Sequence, residues 1–272
     1  MNVGITSSSN FNLYASTLVC QLIASANKPT CILSVESALH TLTRHIRGAG
    51  VGATARKILQ RYQVTPARDK DDRYYFGEYA AAIGLAGWDS RLSDLSRKEG
   101  IEYVKADSVN SEATVAYVRK KEIDILVNAG GGIFKADIIG APRIGILNAH
   151  MGMLPAFRGM NVLEWSLFYE EPIGVTLHLI ERGIDTGDIL AFKEIPLEEG
   201  DTIATLRAKS LVVSVSLMAE CIESLRLGRL TRTKQRPQDG RQYFVMHPRL
   251  KAVVESRLKH PTQQIYQTSL HA

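Results

Sequence analysis

The chain has 272 residues, 45% of them hydrophobic, and a formal net charge of +5 at pH 7. That content suffices for one main domain with a sizeable core plus a smaller appendage; no apolar run reaches the roughly 18 residues of a membrane span and no secretory pattern opens the chain, so neither a membrane partner nor export is expected. Cys20, Cys31 and Cys221 have no metal-ligand spacing, which points to buried reduced thiols, a cytoplasmic setting and no metal, while the positive balance suits an anionic substrate.

In chain order, residues 2–6 (NVGIT) predict a first strand, and Ser7-Ser8-Ser9-Asn10 introduces a helix over 11–25. A second strand is expected at 30–35. The stretch 39–88 is less regular: Arg44, Arg47, Arg56, Lys57 and Arg61 surround three glycines, and a charged run follows at 68–73. It reads as a helical basic insertion, more simply a solvated helical face with a surface loop than a set of basic groups that receive a phosphate. Strands at 101–104 and 123–127 flank a helix at 111–121, and Asn128-Ala129-Gly130-Gly131-Gly132 follows the second of them. The three glycines lack the G-x-G-x-x-G spacing of a dinucleotide fingerprint.

Residues 143–147 (RIGIL) read as a short buried strand with Asn148 and His150 at its carboxyl end. Positions i and i+2 of a strand project to one side, so both side chains can face one ligand while Ala149 turns away. Leu154-Pro155 and Arg158-Gly159 end regular structure before a helix at 161–169. Val175, Leu177 and Leu179 alternate with Thr176 and His178 in a strand at 173–180, which runs into a glycine-flanked turn at 182–187 that presents Asp185. Beyond it come a helix at 203–227, a basic polar run at 229–241, a strand at 243–246 and a helix at 248–259. The strand–helix rhythm implies an α/β fold: a doubly wound, mainly parallel sheet, with ligands at the strands' carboxyl ends and a small carboxyl-terminal α+β appendage. Residues 1–205 are read as the catalytic domain and 206–272 as a helical and hairpin extension, through which a homodimer would form.

An amide, an imidazole and a carboxylate on neighbouring strand ends suit acyl transfer between nitrogens. The amide and imidazole donate hydrogen bonds to the oxyanion, and Asp185 accepts the amine proton and orients His150. No serine or cysteine nucleophile is needed. Taken singly, each residue is more simply a turn cap or a satisfied core group.

Together, Asn148, His150, Leu154-Pro155, Arg158-Gly159, Gly174, Thr176, His178, Asp185 and Gly187 resemble the ordered pattern of the folate-dependent formyltransferase family, most closely the sugar N-formyltransferases in organisation. The family includes glycinamide ribonucleotide and methionyl-tRNA formyltransferases. The likeness covers roughly residues 100–205 and implies a Rossmann-like fold, the catalytic trio Asn148, His150 and Asp185, and 10-formyltetrahydrofolate as formyl donor. It also implies a folate pocket built from Gly132, Ile133, Phe134 and Ile139 on one side and Glu181, Arg182, Gly183 and Ile184 on the other. Met151-Gly152-Met153 departs from the family's usual Pro-Ser-Leu and leaves the acceptor side open.

The acceptor is expected to be a small amine, with a nucleotide-linked amino sugar preferred. Fewer than about 50 residues follow Gly228, small for the barrel of a tRNA-modifying member. The basic run at 229–241 lacks interleaved aromatics, so no nucleic-acid partner is expected. Ser7-Ser8-Ser9-Asn10 replaces the glycine-rich turn that a glycinamide ribonucleotide enzyme uses for phosphate, which weakens that alternative; Ser9 and Asn10 are still placed with Arg158, Gly159 and Trp165 on the acceptor side. Hydrolysis of formyltetrahydrofolate and a non-catalytic folate- or nucleotide-binding module complete the alternatives.

Overall fold

A computed structural model describes residues 1–35 and 72–259. The chain divides into two compact units, Met1–Ile144 and Gly145–Ala272. Most of the basic stretch expected at 39–88, with Arg44, Arg47, Arg56, Lys57 and Arg61, and the tail after Lys259 lie outside the described residues.

In the first unit, β1 (Val3–Ser7), β2 (Cys31–Ser34), β3 (Glu102–Lys105) and β4 (Ile125–Ala129) alternate with α1 (Leu13–Ala24), α2 (72–82), α3 (Leu92–Glu99) and α4 (Glu112–Lys120), and the short α5 (Ala136–Ile139) follows β4. β2 and β4 pair with β1 and β3 pairs with β2, all in parallel, giving the order 3-2-1-4 of a doubly wound half. Every residue of β1 and β2 is buried, as expected of parallel strands covered on both faces. β3, paired on one side only among these strands, is half exposed.

Two boundaries in this unit differ from the sequence expectation. Helix α1 is capped by Asn12, whose side chain accepts the Ala15 N–H while its Nδ2 donates to the Ala129 carbonyl at 2.8 Å. Ser7 to Asn10 therefore form the approach to the helix rather than its cap. Strand β4 runs through Asn128 and Ala129, which pair with Thr6 and Ser7, because the β1 ladder continues past the apolar run.

The second unit contains β5 (Gly145–His150), β6 (Phe157–Gly159), α6 (Val162–Tyr169), β7 (Gly174–Leu179), β8 (Ile189–Glu194), α7 (Ile203–Arg226), a 3-10 turn (Pro237–Asp239), β9 (Arg241–Tyr243) and α8 (Pro248–Lys259). β7 lies antiparallel between β5 and β8, and β6 pairs in parallel with β9. The Leu154–Pro155 peptide between β5 and β6 is cis. β5 extends through His150 because Asn148, Ala149 and His150 pair with His178, Leu177 and Thr176. β9 falls at 241–243 instead of 243–246, set by its register with β6, and leaves Phe244 and Val245 exposed beyond it.

Helix α7 starts at Thr202, whose hydroxyl accepts the Thr205 N–H and completes a capping box. It packs on β7 and β8 and runs unbroken through residues 205 and 206. Glu164 on α6 is fully buried; Arg207 on α7 reaches both its carboxylate oxygens, at 2.6 and 2.7 Å, and Asn161 Nδ2 donates to it at 3.1 Å. A buried carboxylate needs such a partner, and removing Arg207 leaves Glu164 only one cation among the described residues, Lys251, whose Nζ lies 4.0 Å away.

Candidate active site

The β5–β7 register brings the first two polar groups together. Asn148 stands opposite His178, and its Nδ2 donates to His178 Nε2 at 3.0 Å. That direction follows from the other face of the ring, where His178 Nδ1 lies 2.8 Å from the Leu179 carbonyl. A carbonyl accepts only, so Nδ1 carries the hydrogen and Nε2 presents its lone pair. Burial pushes the His178 imidazole well below its ordinary range, the neighbouring His150 adds to the shift, and the Asp185 carboxylate opposes it. His178 is thus a neutral ring that fixes the rotation of the Asn148 amide.

His150, two residues along the same strand, is also buried. Its Nε2 donates to the Phe157 carbonyl at 2.7 Å, which leaves Nδ1 as the nitrogen 3.4 Å from Asp185 Oδ2. The two imidazoles meet edge to face, with centroids 6.1 Å apart. The hydrogen held at Nε2 by the backbone leaves Nδ1 as the lone-pair nitrogen, so donation from His150 to a developing oxyanion needs a second ring proton at Nδ1, on the side that faces Asp185. Thr176, opposite His150, accepts the Leu154 N–H at 3.1 Å and donates to the Gly152 carbonyl at 2.6 Å, pinning the loop that follows the histidine.

Asp185 sits in the turn between β7 and β8 with φ of 51°. Its Oδ2 accepts the Gly159 N–H at 2.8 Å and its Oδ1 lies 3.6 Å from His178 Nε2. Gly159 has φ of 101°, and a Cβ there would strike the Tyr243 carbonyl. At Gly187 a Cβ would strike the Leu179 carbonyl. These two glycines let the backbone close around the carboxylate.

The other residues singled out from the sequence divide by surroundings. Glu181, Arg182, Gly183 and Ile184 are exposed beside Asp185, and Ile184 keeps 50% of its surface open. Arg158 is buried and turns to the carboxyl-terminal segment: its Nε donates to Gln235 Oε1 at 3.2 Å and its Nη2 to the Arg236 carbonyl at 3.0 Å. Trp165 donates its indole N–H to the Phe244 carbonyl at 2.8 Å, lies against Tyr243 and stacks on Tyr169.

In the first unit, Gly132 is left-handed with open space around it and Ile133 is 82% exposed, whereas Phe134 is buried and Ile139 half-buried. Ser9 Oγ donates to the Phe11 carbonyl at 2.7 Å; Asn10 donates to Ser93 Oγ at 3.0 Å and accepts its backbone N–H at 2.9 Å. Asn110 holds the Ile133 loop, donating to the Ile133 carbonyl at 2.8 Å and accepting the Lys135 N–H at 2.7 Å.

The sequence reading gave no role to His178, Gln235 or Asn110. His178 carried a usable signal, as a polar residue alternating with core positions on a buried strand. Gln235 carried a weak one, as part of a Gln235-Arg236-Pro237-Gln238 segment that, with Gly240 and Tyr243, resembles the region after the catalytic domain in the formyltransferases; Asn110 carried none, since its partners are backbone groups 23 and 25 positions away.

Comparison with known proteins identifies the fold and the family. A methionyl-tRNA formyltransferase of Caldanaerobacter subterraneus subsp. tengcongensis is 29% identical over 155 residues, 56% of this chain and 50% of that protein. The chain spans about half the length of that relative. Among solved structures, glycinamide ribonucleotide transformylase 1 from Symbiobacterium toebii aligns over 86% of this chain and 93% of its own, with a TM-score of 0.56 and 18% identity. A sugar N-formyltransferase from a Shewanella species aligns over 95% and 87%, with a TM-score of 0.57 and 17% identity. Both share the α/β, Rossmann-like fold. The family pattern described as formyl transferase matches residues 85–222, which contain Asn148, His150 and Asp185, and the chain belongs to that family.

Proposed function

We propose that the protein is an N-formyltransferase that moves a formyl group from 10-formyltetrahydrofolate to the amine of a small anionic acceptor, most simply a nucleotide-linked amino sugar. The observation that carries the reading is the approach of Asp185 Oδ2 to His150 Nδ1 at 3.4 Å beside Asn148, whose amide is fixed on His178. When bound, the folate supplies a formyl carbon on a nitrogen leaving group. The donor set fits that group: a neutral amide, an imidazole nitrogen and a carboxylate, next to the half-exposed apolar side chain of Ile184, which suits a flat ring.

In this mechanism Asp185 takes the proton that the acceptor amine loses as its nitrogen bonds to the formyl carbon. The Asn148 amide stabilises the negative charge that develops on the formyl oxygen, and His150 joins it when Asp185 passes the amine proton to its Nδ1. The Asp185–His150 pair then returns one proton to the departing nitrogen as the carbon–nitrogen bond of the donor breaks. Gly159, through its N–H on Oδ2, keeps the carboxylate aimed at His150 throughout.

The support for an anionic acceptor is local. Arg229, Arg232 and Lys234 are exposed and form no ion pair among the described residues. Thr233 between the last two pairs with Ile189, so Arg232 and Lys234 share a face as i and i+2 neighbours, next to Gln235, which contacts the Asp185 turn. Such a strip concentrates phosphate-bearing ligands near the reacting centre.

The test is a screen of amino sugars, free and nucleotide-linked, with 10-formyltetrahydrofolate, read as formyl mass gain on the acceptor. Formylation of nucleotide-linked amines above their free sugars is the expected outcome. Formate released at full rate without any amine would instead establish a hydrolase.

A further inference from the structure

Gln235 lies beyond the stretch that matches the family pattern, yet it is built into the turn that carries Asp185. We propose that Gln235, held by Arg158, is a positioning residue for Asp185, and that the segment after α7 is therefore part of the active site. The inference rests on the assignment of Asp185 as the proton acceptor.

The geometry is specific. Gln235 Nε2 donates to the Asp185 carbonyl at 3.0 Å and to the Gly187 carbonyl at 2.6 Å, the two backbone acceptors on either side of Thr186. Its Oε1 accepts from Arg158 Nε at 3.2 Å. All three bonds are made by one amide, and among uncharged side chains only Asn and Gln carry two N–H donors and an acceptor together. The segment is set in place upstream by Thr233, whose N–H and carbonyl exchange bonds with Ile189 at 2.8 and 2.9 Å. It is set downstream by the Arg158 bond to the Arg236 carbonyl.

The turn needs such a hold. Asp185 is a non-glycine residue at φ of 51°, a region that Asp tolerates better than most residues but that surrounding bonds must still hold in place. Strand β6 enforces it twice through consecutive residues: the Gly159 N–H grips the carboxylate directly, and the Arg158 guanidinium grips the backbone through Gln235. Gln235 touches none of the reacting atoms. Its effect is carried by the aim of Asp185 at His150.

The experiment compares Gln235→Met, which removes donors and acceptor at similar length, and Gln235→Glu, which keeps an acceptor for Arg158 and loses both donors. Gln238→Met, an exposed neighbour, serves as control and Asp185→Asn as reference. All rates are taken per folded enzyme in the full chain. Both Gln235 variants are expected to lose about tenfold in kcat, with KM for donor and acceptor within about twofold of wild type. They are also expected to move the His150 ring nitrogen resonance while Gln238→Met leaves it in place.

If either Gln235 variant fails to fold, the other gives the same readings. Wild-type kcat in the Gln235 variants beside an inactive Asp185→Asn overturns the positioning role and leaves the proposed function standing. A kcat loss with an unmoved His150 resonance also overturns it. An active Asp185→Asn overturns the proposed function, and the positioning role with it.

Discussion

Strands β4 and β5 look alike in sequence, each a compact apolar run followed by an asparagine, and they end in opposite ways. At the end of β4, Asn128 turns back on its own loop, accepting the Gly130 N–H at 3.1 Å and the Thr6 hydroxyl at 3.5 Å, and the chain leaves through glycines toward the exposed Ile133. At the end of β5, Asn148 and His150 point at His178 and Asp185. The neighbouring strand makes the difference. β4 runs beside the parallel β1, which meets Asn128 with Thr6, whereas β5 runs beside the antiparallel β7, which sets an imidazole opposite the amide. One strand end offers backbone and an apolar side chain; the other offers proton chemistry.

The comparison breaks most visibly at the second end. Asp185→Asn and His150→Ala are each expected to lower turnover by about a hundredfold or more, the usual scale for removing an acid–base or oxyanion group, in steady-state formyl transfer assays. Near-normal rates in both would equalise the two strand ends. Next in size, Gly159→Ala places a Cβ against the Tyr243 carbonyl at a left-handed position and draws the N–H away from Asp185. A stability loss of about 1–3 kcal/mol, seen by denaturant titration, is expected together with a fall in kcat.

The same contrast sharpens at the first end. Ile133→Ser should raise the donor KM by up to about tenfold, about 1.4 kcal/mol of lost apolar burial, and leave kcat and the thermal midpoint unchanged. An equal loss in kcat would give the β4 loop a part in the chemistry rather than in binding.

The smallest expected effect concerns His178. Its folded-state pKa is depressed, so below the unfolded value of about 6.5 the unfolded chain binds the proton that the folded chain excludes, and stability is lost as pH falls toward the folded value. His178→Gln keeps a neutral acceptor for Asn148 and removes that titration. A shallower acid slope in denaturant-derived stability is expected between about pH 6.5 and pH 5; an unchanged slope would place the titration elsewhere.

Much of this was legible before any coordinates. Helix α8 at Pro248–Lys259 falls where the sequence places it, helix α7 at Ile203–Arg226 falls where its periodicity predicts, and β1 to β3 lie within a residue or two of the apolar runs that announce them. Those elements are decided by local patterning and burial. The ends of β4, β5 and β9 were misjudged because ladder partners decide where a strand stops: Asn128, Asn148 and His150 are polar residues inside strands, and Tyr243 closes a strand it was expected to open. Asn148, His150 and Asp185 could be singled out from residue types and order, and the fold brings His150 within 3.4 Å of Asp185. The orientation of each could not be read from them, since it depends on bonds from His178, Phe157 and Gly159 that only the fold brings near.

The account centres on a single proton acceptor beside a fixed amide. Its most direct test is formyl mass transfer from 10-formyltetrahydrofolate to a nucleotide-linked amino sugar, measured for wild type and for Asp185→Asn at matched folded concentration. The account expects transfer by the wild type and a loss of about a hundredfold or more in the variant with donor binding retained. Equal transfer by the two proteins would contradict it.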